Sequence, residues 1–379
     1  MFVLFCVQNG AYAEPAKEFY LENGMKIIVK EDHRAPVAVH MVWYRTGSMD
    51  ETNGTTGVAH VLEHMMFKGT PKYPEGSLSK TVAKLGGKDN AFTNTDYTAY
   101  FQQIPKNSLE KMMEMEADRM SNLQFANSDF EKEIRVVMEE RRWRTDDQPE
   151  GRVDEALRAA AFVAHPYHWP VIGWMNDLQN MTVEDARNWY ERWYAPNNAI
   201  MVVVGDVDAF AVRNMANKYF GKIRPKKIVP VKPQLEPEQL GPKRVAVSAP
   251  AENPMVVLAY KVPALRDVEK DDDVYALDVL ASVLDGYDNA RLPASLVRKE
   301  RIALSVGTDY SALSRGPALF VLQGIPAKGV TVDELEKRCQ YCEAWYNHGG
   351  IATGEDAVDF VADLQTRFNV RTGNGNRCF

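Results

Sequence analysis

A repeated segment limits the fold of this 379-residue chain more than any other feature of its sequence. Residues 101–105 read Phe-Gln-Gln-Ile-Pro and residues 322–326 read Leu-Gln-Gly-Ile-Pro, and a helical run containing Leu-Glu-Lys follows each within a few residues. A segment that recurs with the same neighbours indicates two copies of one structural unit. The length allows two domains, and a hydrophobic content of 45% supplies apolar side chains for two cores.

In the first copy, segments with the two-residue hydrophobic period of strands are followed by segments with the 3.6-residue period of helices. Alternating apolar residues between positions 17 and 48 predict a hairpin and a third strand, and a further alternating run predicts one strand over residues 90–103. Helices are expected over residues 79–85, 108–123, 131–144, 150–161 and 182–193, and a buried strand over residues 200–204. We therefore predict an α+β fold of two homologous domains, each an antiparallel sheet packed with helices, at residues 14–220 and 243–379, joined by a proline-rich linker at residues 221–242.

One helical stretch of the first domain carries groups that can bind a metal. His60, Glu63 and His64 fall within an arc of roughly 100° on a helix, while the apolar residues between them point towards a core. Imidazoles one helical turn apart can both bind a single Zn²⁺, and a glutamate beside them can take a proton from water. The order H-x-x-E-H is that of the inverzincins. On these five positions alone, a solvated surface helix remains the alternative.

A third ligand is expected on the helix predicted over residues 131–144. Glu133 and Glu140 are two turns apart on one face, and Val136 and Val137 lie on the same side, whereas Glu139 points elsewhere. A carboxylate that shares a face with buried valines is costly unless a cation meets it. This favours Glu140 as the third ligand and Glu133 as a hydrogen-bonding partner behind the ligands. An ordinary solvated charge run is the alternative.

Several further motifs surround these residues. Before the histidines stand Leu-Glu-Asn-Gly-Met at 21–25, Arg-Ala-Pro-Val at 34–37, and Gly-Ser at 47–48 with Glu51. After them stand Gly-Gly at 86–87 with Asn-Ala-Phe-Thr at 90–93, and Tyr-Ala-Pro-Asn-Asn-Ala at 194–199 before Val-Val-Val-Gly-Asp at 202–206. Over roughly residues 18–335 the chain thereby resembles the pitrilysin/insulinase family of zinc metallopeptidases, most closely the bacterial members similar to the mitochondrial processing peptidase.

The resemblance implies roles for residues of the first domain. His60, His64 and Glu140 are implied as ligands of one Zn²⁺ per chain, and Glu63 as the general base. The implied substrate strand has an open edge that accepts a peptide by strand addition, and its residues nearest the scissile bond are Asn90, Ala91, Phe92 and Thr93. The implied architecture is a metal-bearing domain and an inert copy of it, which together form half of a clamshell.

The second domain departs from the first where the metal motif stands. When the two halves are aligned on the repeated segments, Asp278, Ala281 and Ser282 replace the two histidines and the glutamate, so this half has lost the site. In the family, the inert half supplies an arginine and a tyrosine that hold the substrate backbone. Arg291 matches the arginine, but Leu304 occupies the position of the tyrosine. The resemblance therefore implies a homodimer, or a heterodimer with a family partner that carries the Arg/Tyr pair.

Charge and hydropathy exclude some classes of function. A net charge of −7 with a pI near 5.6 and no block of basic residues argues against nucleic-acid binding, and no apolar run is long enough to span a membrane. The apolar start and the Ala-Tyr-Ala at 11–13 predict a signal-peptide remnant at residues 1–13, hence a periplasmic or secreted protein, with a cytoplasmic one as the alternative.

The end of the sequence changes character. Three of the four cysteines lie from position 339 onward, and residues 372–379 show no strand or helix pattern, so the second domain is expected to be incomplete or frame-shifted after about residue 338. The expected function is that of a zinc metalloendopeptidase acting on peptides or unfolded polypeptides. The alternatives are a non-catalytic scaffold subunit, and a defective family member that needs a partner chain.

Overall fold

The computed structural model describes residues 15–340. The predicted signal-peptide remnant, and the predicted irregular tail beyond residue 340, lie outside the described residues. The chain divides into two compact units: the first holds the described residues up to Arg141 together with Trp169–Lys232, and the second holds Arg142–His168 and the described residues from Pro233 onward. Residues 142–168, which the sequence analysis assigned to the first domain, therefore pack with the second unit.

Nine strands occur among the described residues. They are β1 Lys17–Tyr20, β2 Lys26–Glu31, β3 Val37–Tyr44, β4 Lys88–Thr93, β5 Thr98–Pro105, β6 Ala199–Gly205, β7 Val256–Val262, β8 Ala303–Tyr310 and β9 Ala318–Pro326. The helices in the same part of the chain are α1 Val58–Met65, α2 Ser77–Lys84, α3 Leu109–Asn122, α4 Asn127–Arg141, α5 Pro149–Ala161, α6 Met175–Asn180, α7 Val183–Trp193, α8 Ala209–Phe220, α9 Asp272–Asp285 and α10 Val332–Gln340.

The first unit is built on a six-stranded sheet in the order β1-β2-β6-β3-β5-β4. β6 runs parallel to β2, and the other neighbouring strands are antiparallel. Met201 and Val203 of β6 are fully buried, as the alternation of an apolar central strand requires. Among the described residues β4 pairs with β5 alone, so its second edge is open at one end of the sheet.

The expectation of a single strand over residues 90–103 is wrong. The structure has two antiparallel strands, β4 and β5, which pair from Lys88↔Gln103 to Thr93↔Thr98. The turn between them closes with a hydrogen bond from the Asn94 N–H to the Tyr97 carbonyl at 2.8 Å. Asn and Asp side chains at such positions favour a turn, and this local signal outweighs the alternation that continues on either side.

Helices pack against this sheet to form the core of the first unit. α1 packs against α4, α7 and β4, and α3 lies against β3 and β5. The apolar side of α1 is buried, with Val61, Leu62 and Met65 fully inaccessible to solvent. The opposite side of α1 is thereby directed away from the core, where its polar residues meet α4.

The second unit repeats the order of elements found in the first. Its antiparallel sheet has the order β7-β9-β8 in the described residues, with Leu277, Leu284, Phe320 and Leu335 among the side chains of its core. Each unit runs from a strand through a helix into a hairpin and then a second helix, and the repeated segments end β5 and β9 at equivalent places. The prediction of two homologous α+β domains is confirmed. The clamshell stays a prediction.

The aligned glutamines of the two repeated segments nevertheless lie on opposite faces of their sheets. Gln102 of β5 is buried and donates from Nε2 to Glu116 Oε1 of α3 at 2.6 Å. The aligned Gln323 of β9 is exposed, and its neighbour Gly324 is the residue that faces the following helix, with the position of a Cβ 3.0 Å from Leu335. A shift of one residue moves a strand position to the other face of a sheet, so matching letters do not identify equivalent positions.

No helix among residues 15–340 combines the length and the apolar character needed to cross a membrane. Residues 221–255, all of which the structure describes, contain neither a helix nor a strand.

Candidate metal centre

Two buried carboxylates determine where α1 begins. Glu51 accepts hydrogen bonds from the Gly57 N–H at 2.8 Å and the Ala59 N–H at 2.9 Å. Asp177 accepts from the N–H groups of Gly54 and Thr56 and from the Thr56 hydroxyl. Burial raises the pKa of Glu51 well above its ordinary value, although the two backbone hydrogen bonds act in the opposite direction. Glu51 thus satisfies N–H groups at the start of α1 that have no partner within the helix, while Asp177 holds the loop that leads into it.

Three side chains from α1 and α4 converge on one point. Glu140 Oε2 lies 3.6 Å from His60 Nε2 and 3.4 Å from His64 Nε2, and the three donor atoms lie within 4.8 Å of one another. In the described part of the chain, this is the one group of three or more His, Cys, Asp or Glu side chains arranged to hold a metal ion. Glu139 has its side chain exposed to solvent.

The donor set fits zinc. Two imidazole nitrogens and one carboxylate oxygen are the protein ligands of one class of catalytic zinc site, which keeps a fourth position open. Tetrahedral ligands at about 2.0–2.1 Å from an ion lie about 3.4 Å from one another. The distances from the glutamate oxygen to the two histidine nitrogens, 3.4 and 3.6 Å, are close to that separation.

Glu133 lies behind the histidines on α4. Its Oε2 is 3.0 Å from His64 Nδ1, which is the ring nitrogen away from Glu140. Because a carboxylate only accepts, Nδ1 donates the proton in this contact, which leaves Nε2 as the ring nitrogen directed at Glu140. Burial by itself lowers the pKa of His64, but the hydrogen bonds and charges of Glu140 and Glu133 outweigh burial and raise it.

One expectation about α4 is wrong. Val136 does not share a buried face with the two glutamates, because its side chain is 49% exposed, whereas Val137 is fully buried. α1 covers a narrower part of the α4 surface than the sequence pattern indicated. Residues at the edge of that α4 face, such as Val136, therefore reach solvent.

Glu63 contacts the edge strand β4. The Thr93 hydroxyl donates to Glu63 Oε2 at 2.6 Å, and Glu63 is partly buried. Beneath it, the hydroxyls of Tyr100 and Tyr194 are hydrogen-bonded at 2.8 Å in the core. Burial raises the pKa of Tyr100 well above its usual value, and the neighbouring charge of Glu63 adds to this effect, so the phenol stays protonated. The hydroxyl of Thr93 on β4 thus holds the Glu63 carboxylate of α1 in place.

The other residues expected to contact substrate divide between the two units. On β4, Asn90 is exposed, Ala91 is buried and the Phe92 ring packs edge-on against Trp43 at 5.4 Å. Arg291 of the second unit is partly buried just after α9, and Leu304 of β8 is exposed. The substrate-binding roles of all these residues stay predictions.

Sequence reasoning missed two contacts beside the centre. Lys68 contacts Glu133 through Nζ at 2.7 Å, and Thr93, expected on the substrate strand, directs its hydroxyl to Glu63. The spacing of Lys68, four residues after His64, is a signal that could have indicated a shared acidic partner, since side chains at i and i+4 are neighbours on a helix. Nothing local in the sequence indicates the contact of Thr93.

Comparison with known proteins gives two adjoining family matches. Residues 26–173 match the family described as insulinase (peptidase family M16), and residues 180–341 match the peptidase M16 inactive domain. The chain is 33% identical to the zinc protease PqqE of Helicobacter pylori over 372 residues, which cover 95% of this chain and 82% of that protein.

Two further relatives show how far the likeness extends. The crystal structure of a protease from Helicobacter pylori superimposes with a TM-score of 0.83 at 32% identity, over 92% of this chain and 86% of that one. The chain is also 32% identical to the mitochondrial cytochrome b-c1 complex subunit 1 of Caenorhabditis elegans over 213 residues, which cover 56% of this chain and 45% of that protein. Likeness to proteins named proteases thus extends along almost the whole chain.

Proposed function

This chain belongs to the insulinase family, peptidase family M16, and from that membership we propose that it is a zinc metalloendopeptidase acting on peptides or unfolded polypeptides. The observation that carries the proposal is the convergence of His60, His64 and Glu140 within 4.8 Å, with Glu63 on the same helix as the two histidines. A scaffold protein would not need these four side chains together.

His60 and His64 would hold one zinc ion per chain through Nε2, and Glu140 through a carboxylate oxygen. When bound, zinc supplies a Lewis acid that lowers the pKa of a water ligand towards about 7 and polarises a carbonyl group. Glu133 would keep His64 in the tautomer that presents Nε2 to the ion, because its Oε2 accepts a hydrogen bond from the Nδ1–H group at 3.0 Å.

Glu63 is the proposed general base and acid. Its carboxylate takes a proton from the attacking water while the water oxygen bonds to the peptide carbonyl carbon, and it returns that proton to the amide nitrogen as the C–N bond breaks. The Thr93 hydroxyl, at 2.6 Å, holds one carboxylate oxygen in place during both steps. The number of protons balances because Glu63 gives the amide nitrogen the same proton that it took from the water.

The open edge of β4 supports binding of an extended peptide. An added strand would form main-chain hydrogen bonds with the residues from Asn90 to Thr93, which gives affinity without requiring one sequence. The end of this strand contacts Glu63, so a peptide paired with β4 would lie beside the proposed base.

The second unit and a partner complete the proposal. Arg291 would help to hold the substrate backbone, and Leu304 in place of the family's tyrosine supports a homodimer or a heterodimer with an Arg/Tyr-bearing relative. A relative named as a subunit of a complex is consistent with assembly. We also propose a periplasmic or secreted location, with a cytoplasmic one as the alternative.

Cleavage of a mixed peptide library, with and without a chelator, tests the proposal when zinc content is measured in the same preparation. We expect about one zinc per chain and cleavage that the chelator abolishes. Zinc without cleavage, by the chain alone and with candidate partners, would favour the scaffold subunit. Absence of zinc after incubation with the ion would contradict the proposed centre.

A further inference from the structure

Lys68 makes a contact that no part of the proposed mechanism uses. Its Nζ lies 2.7 Å from Glu133 Oε1, while the second oxygen of the same carboxylate lies 3.0 Å from His64 Nδ1. The side chains of Lys68, Glu133 and His64 are only 13%, 15% and 21% exposed. Each oxygen of Glu133 is therefore engaged by a different donor, and water competes little for either.

The backbone around Lys68 is held in one conformation. The Phe67 N–H donates to the His64 carbonyl and the Lys68 N–H to the Met65 carbonyl, so the chain continues for a turn beyond α1. It then reverses at Gly69, whose φ of +90° and close approach to the Tyr73 carbonyl exclude a side chain. This geometry places Lys68 one turn after His64, on the side that faces Glu133.

The outer end of Lys68 meets a second acid. Glu75 Oε1 lies 2.6 Å from the same Nζ, but the Glu75 side chain is 57% exposed. The ammonium group thus bridges an exposed carboxylate and an enclosed one. Interactions with exposed charges contribute little, so the inner contact with Glu133 is the one expected to matter.

We propose that Lys68 is a positioning residue for the metal centre: by holding one oxygen of Glu133, it directs the other to His64 and so orients the imidazole for zinc. The inference rests on the proposed function. Without the ammonium, the enclosed Glu133 carboxylate would lose the charged donor at Oε1 that fixes its rotation relative to His64. Partners behind a metal-binding histidine typically change metal affinity about 10- to 100-fold when lost.

The test is the zinc affinity of the full chain, measured by competition with a chromophoric chelator. Lys68→Met keeps the length of the side chain without its charge, and we expect affinity to fall about 10- to 100-fold. Lys68→Arg should restore most of the loss. Glu75→Gln is the matched control, because it removes only the exposed partner, and we expect its affinity to stay within about twofold of wild type.

A double variant separates positioning from a general structural role. If Lys68 acts through Glu133, adding Lys68→Met to Glu133→Gln should lower zinc affinity by much less than it does in the wild type. Full additivity, or wild-type affinity in Lys68→Met, would overturn the proposal. Thermal unfolding in the presence of chelator identifies a variant that fails to fold. If Lys68→Met fails, the zinc affinities of Lys68→Arg and Lys68→Gln are compared instead, and equal affinities would overturn the proposal. A wild-type chain without zinc affinity would instead overturn the proposed function.

Discussion

α1 follows β3 in the first unit and α9 follows β7 in the second, but the two helices carry different functional groups. α1 buries its apolar side and directs two histidines and a glutamate at α4. α9 buries Leu277 and Leu284, and contains no histidine. Without imidazoles on α9, its surface cannot offer a metal ion the pair of nitrogens that α1 offers. A shared framework of strands and helices therefore does not by itself produce a site.

The largest expected effect comes from the base on α1. Glu63→Gln should lower turnover about 10²- to 10⁴-fold, because the amide cannot take up the proton, while zinc content stays unchanged since the ligands are intact. Peptide cleavage and elemental analysis on the same sample check this. A variant that cleaves at the original rate would show that the chemistry lies elsewhere in the chain, and the contrast between α1 and α9 would fail.

A matched pair of core substitutions sharpens the contrast. Leu62 of α1 and Leu277 of α9 are both fully buried, so replacing either with alanine should cost about 2–5 kcal/mol of unfolding free energy. Only Leu62→Ala should also weaken zinc binding, because it loosens the helix that carries the histidines. Urea unfolding and zinc competition measure the two effects, and a comparable loss of zinc affinity in Leu277→Ala would contradict a site confined to the first unit.

The two units also contain buried acids with opposite behaviour. Glu51 accepts two N–H groups, and burial raises its pKa. Glu236 accepts the N–H groups of residues 163, 164 and 165 and lies 2.8 Å from Lys261 Nζ. Burial opposes ionisation there too, but the hydrogen bonds of Lys261 and the backbone outweigh burial and lower the pKa of Glu236 to about 2. Glu236 has a neighbouring cation and a third N–H donor, whereas the charges of Asp50 and Asp177 add to the effect of burial on Glu51.

This difference predicts how acid affects the second unit. Since the pKa of Glu236 is lower in the folded chain, its contribution is complete above about pH 5 and is lost as the pH falls towards 2. We expect Glu236→Gln to cost about 3 kcal/mol at pH 7 and about 1 kcal/mol at pH 3. Urea unfolding of both proteins at the two pH values checks this, and an equal cost at both would refute it.

The smallest expected effect concerns the strand beside the base. Thr93→Val removes the hydroxyl but keeps the shape of the side chain, and should lower kcat roughly tenfold, because a hydrogen bond to a carboxylate is lost. KM and zinc content should change little, and Thr93→Ser should retain most of the activity. A rise in KM without a fall in kcat would instead assign Thr93 to substrate binding.

Much of this arrangement could be predicted from short stretches of sequence. The helix with His60, Glu63 and His64 on one face follows from a 3.6-residue period, and that period depends only on neighbouring residues. The choice of Glu140 over Glu139 followed from the same period, and the structure brings Glu140 within 3.6 Å of both histidines. The strand break between β4 and β5 was missed because alternation on both sides hid the turn.

Alignment of the two halves shows a limit of the same reasoning. The repeated segments end corresponding strands, but the side chain of Gln102 faces α3 while that of Gln323 faces solvent. The face of a strand depends on its register with its neighbours, and a shift of one residue reverses it. Matching letters therefore located the repeat without identifying equivalent side chains.

By itself the sequence determined most of the helices and strands between residues 17 and 205, the repetition of a domain and the helix face that carries the histidines. Only the tertiary structure decided that α4 lies against α1, that Lys68 and His64 share Glu133, and that Thr93 contacts Glu63. The physical reason is range: helix and strand patterns arise from residues a few positions apart. Distances of 3 Å between side chains remote in sequence depend instead on how the whole core packs.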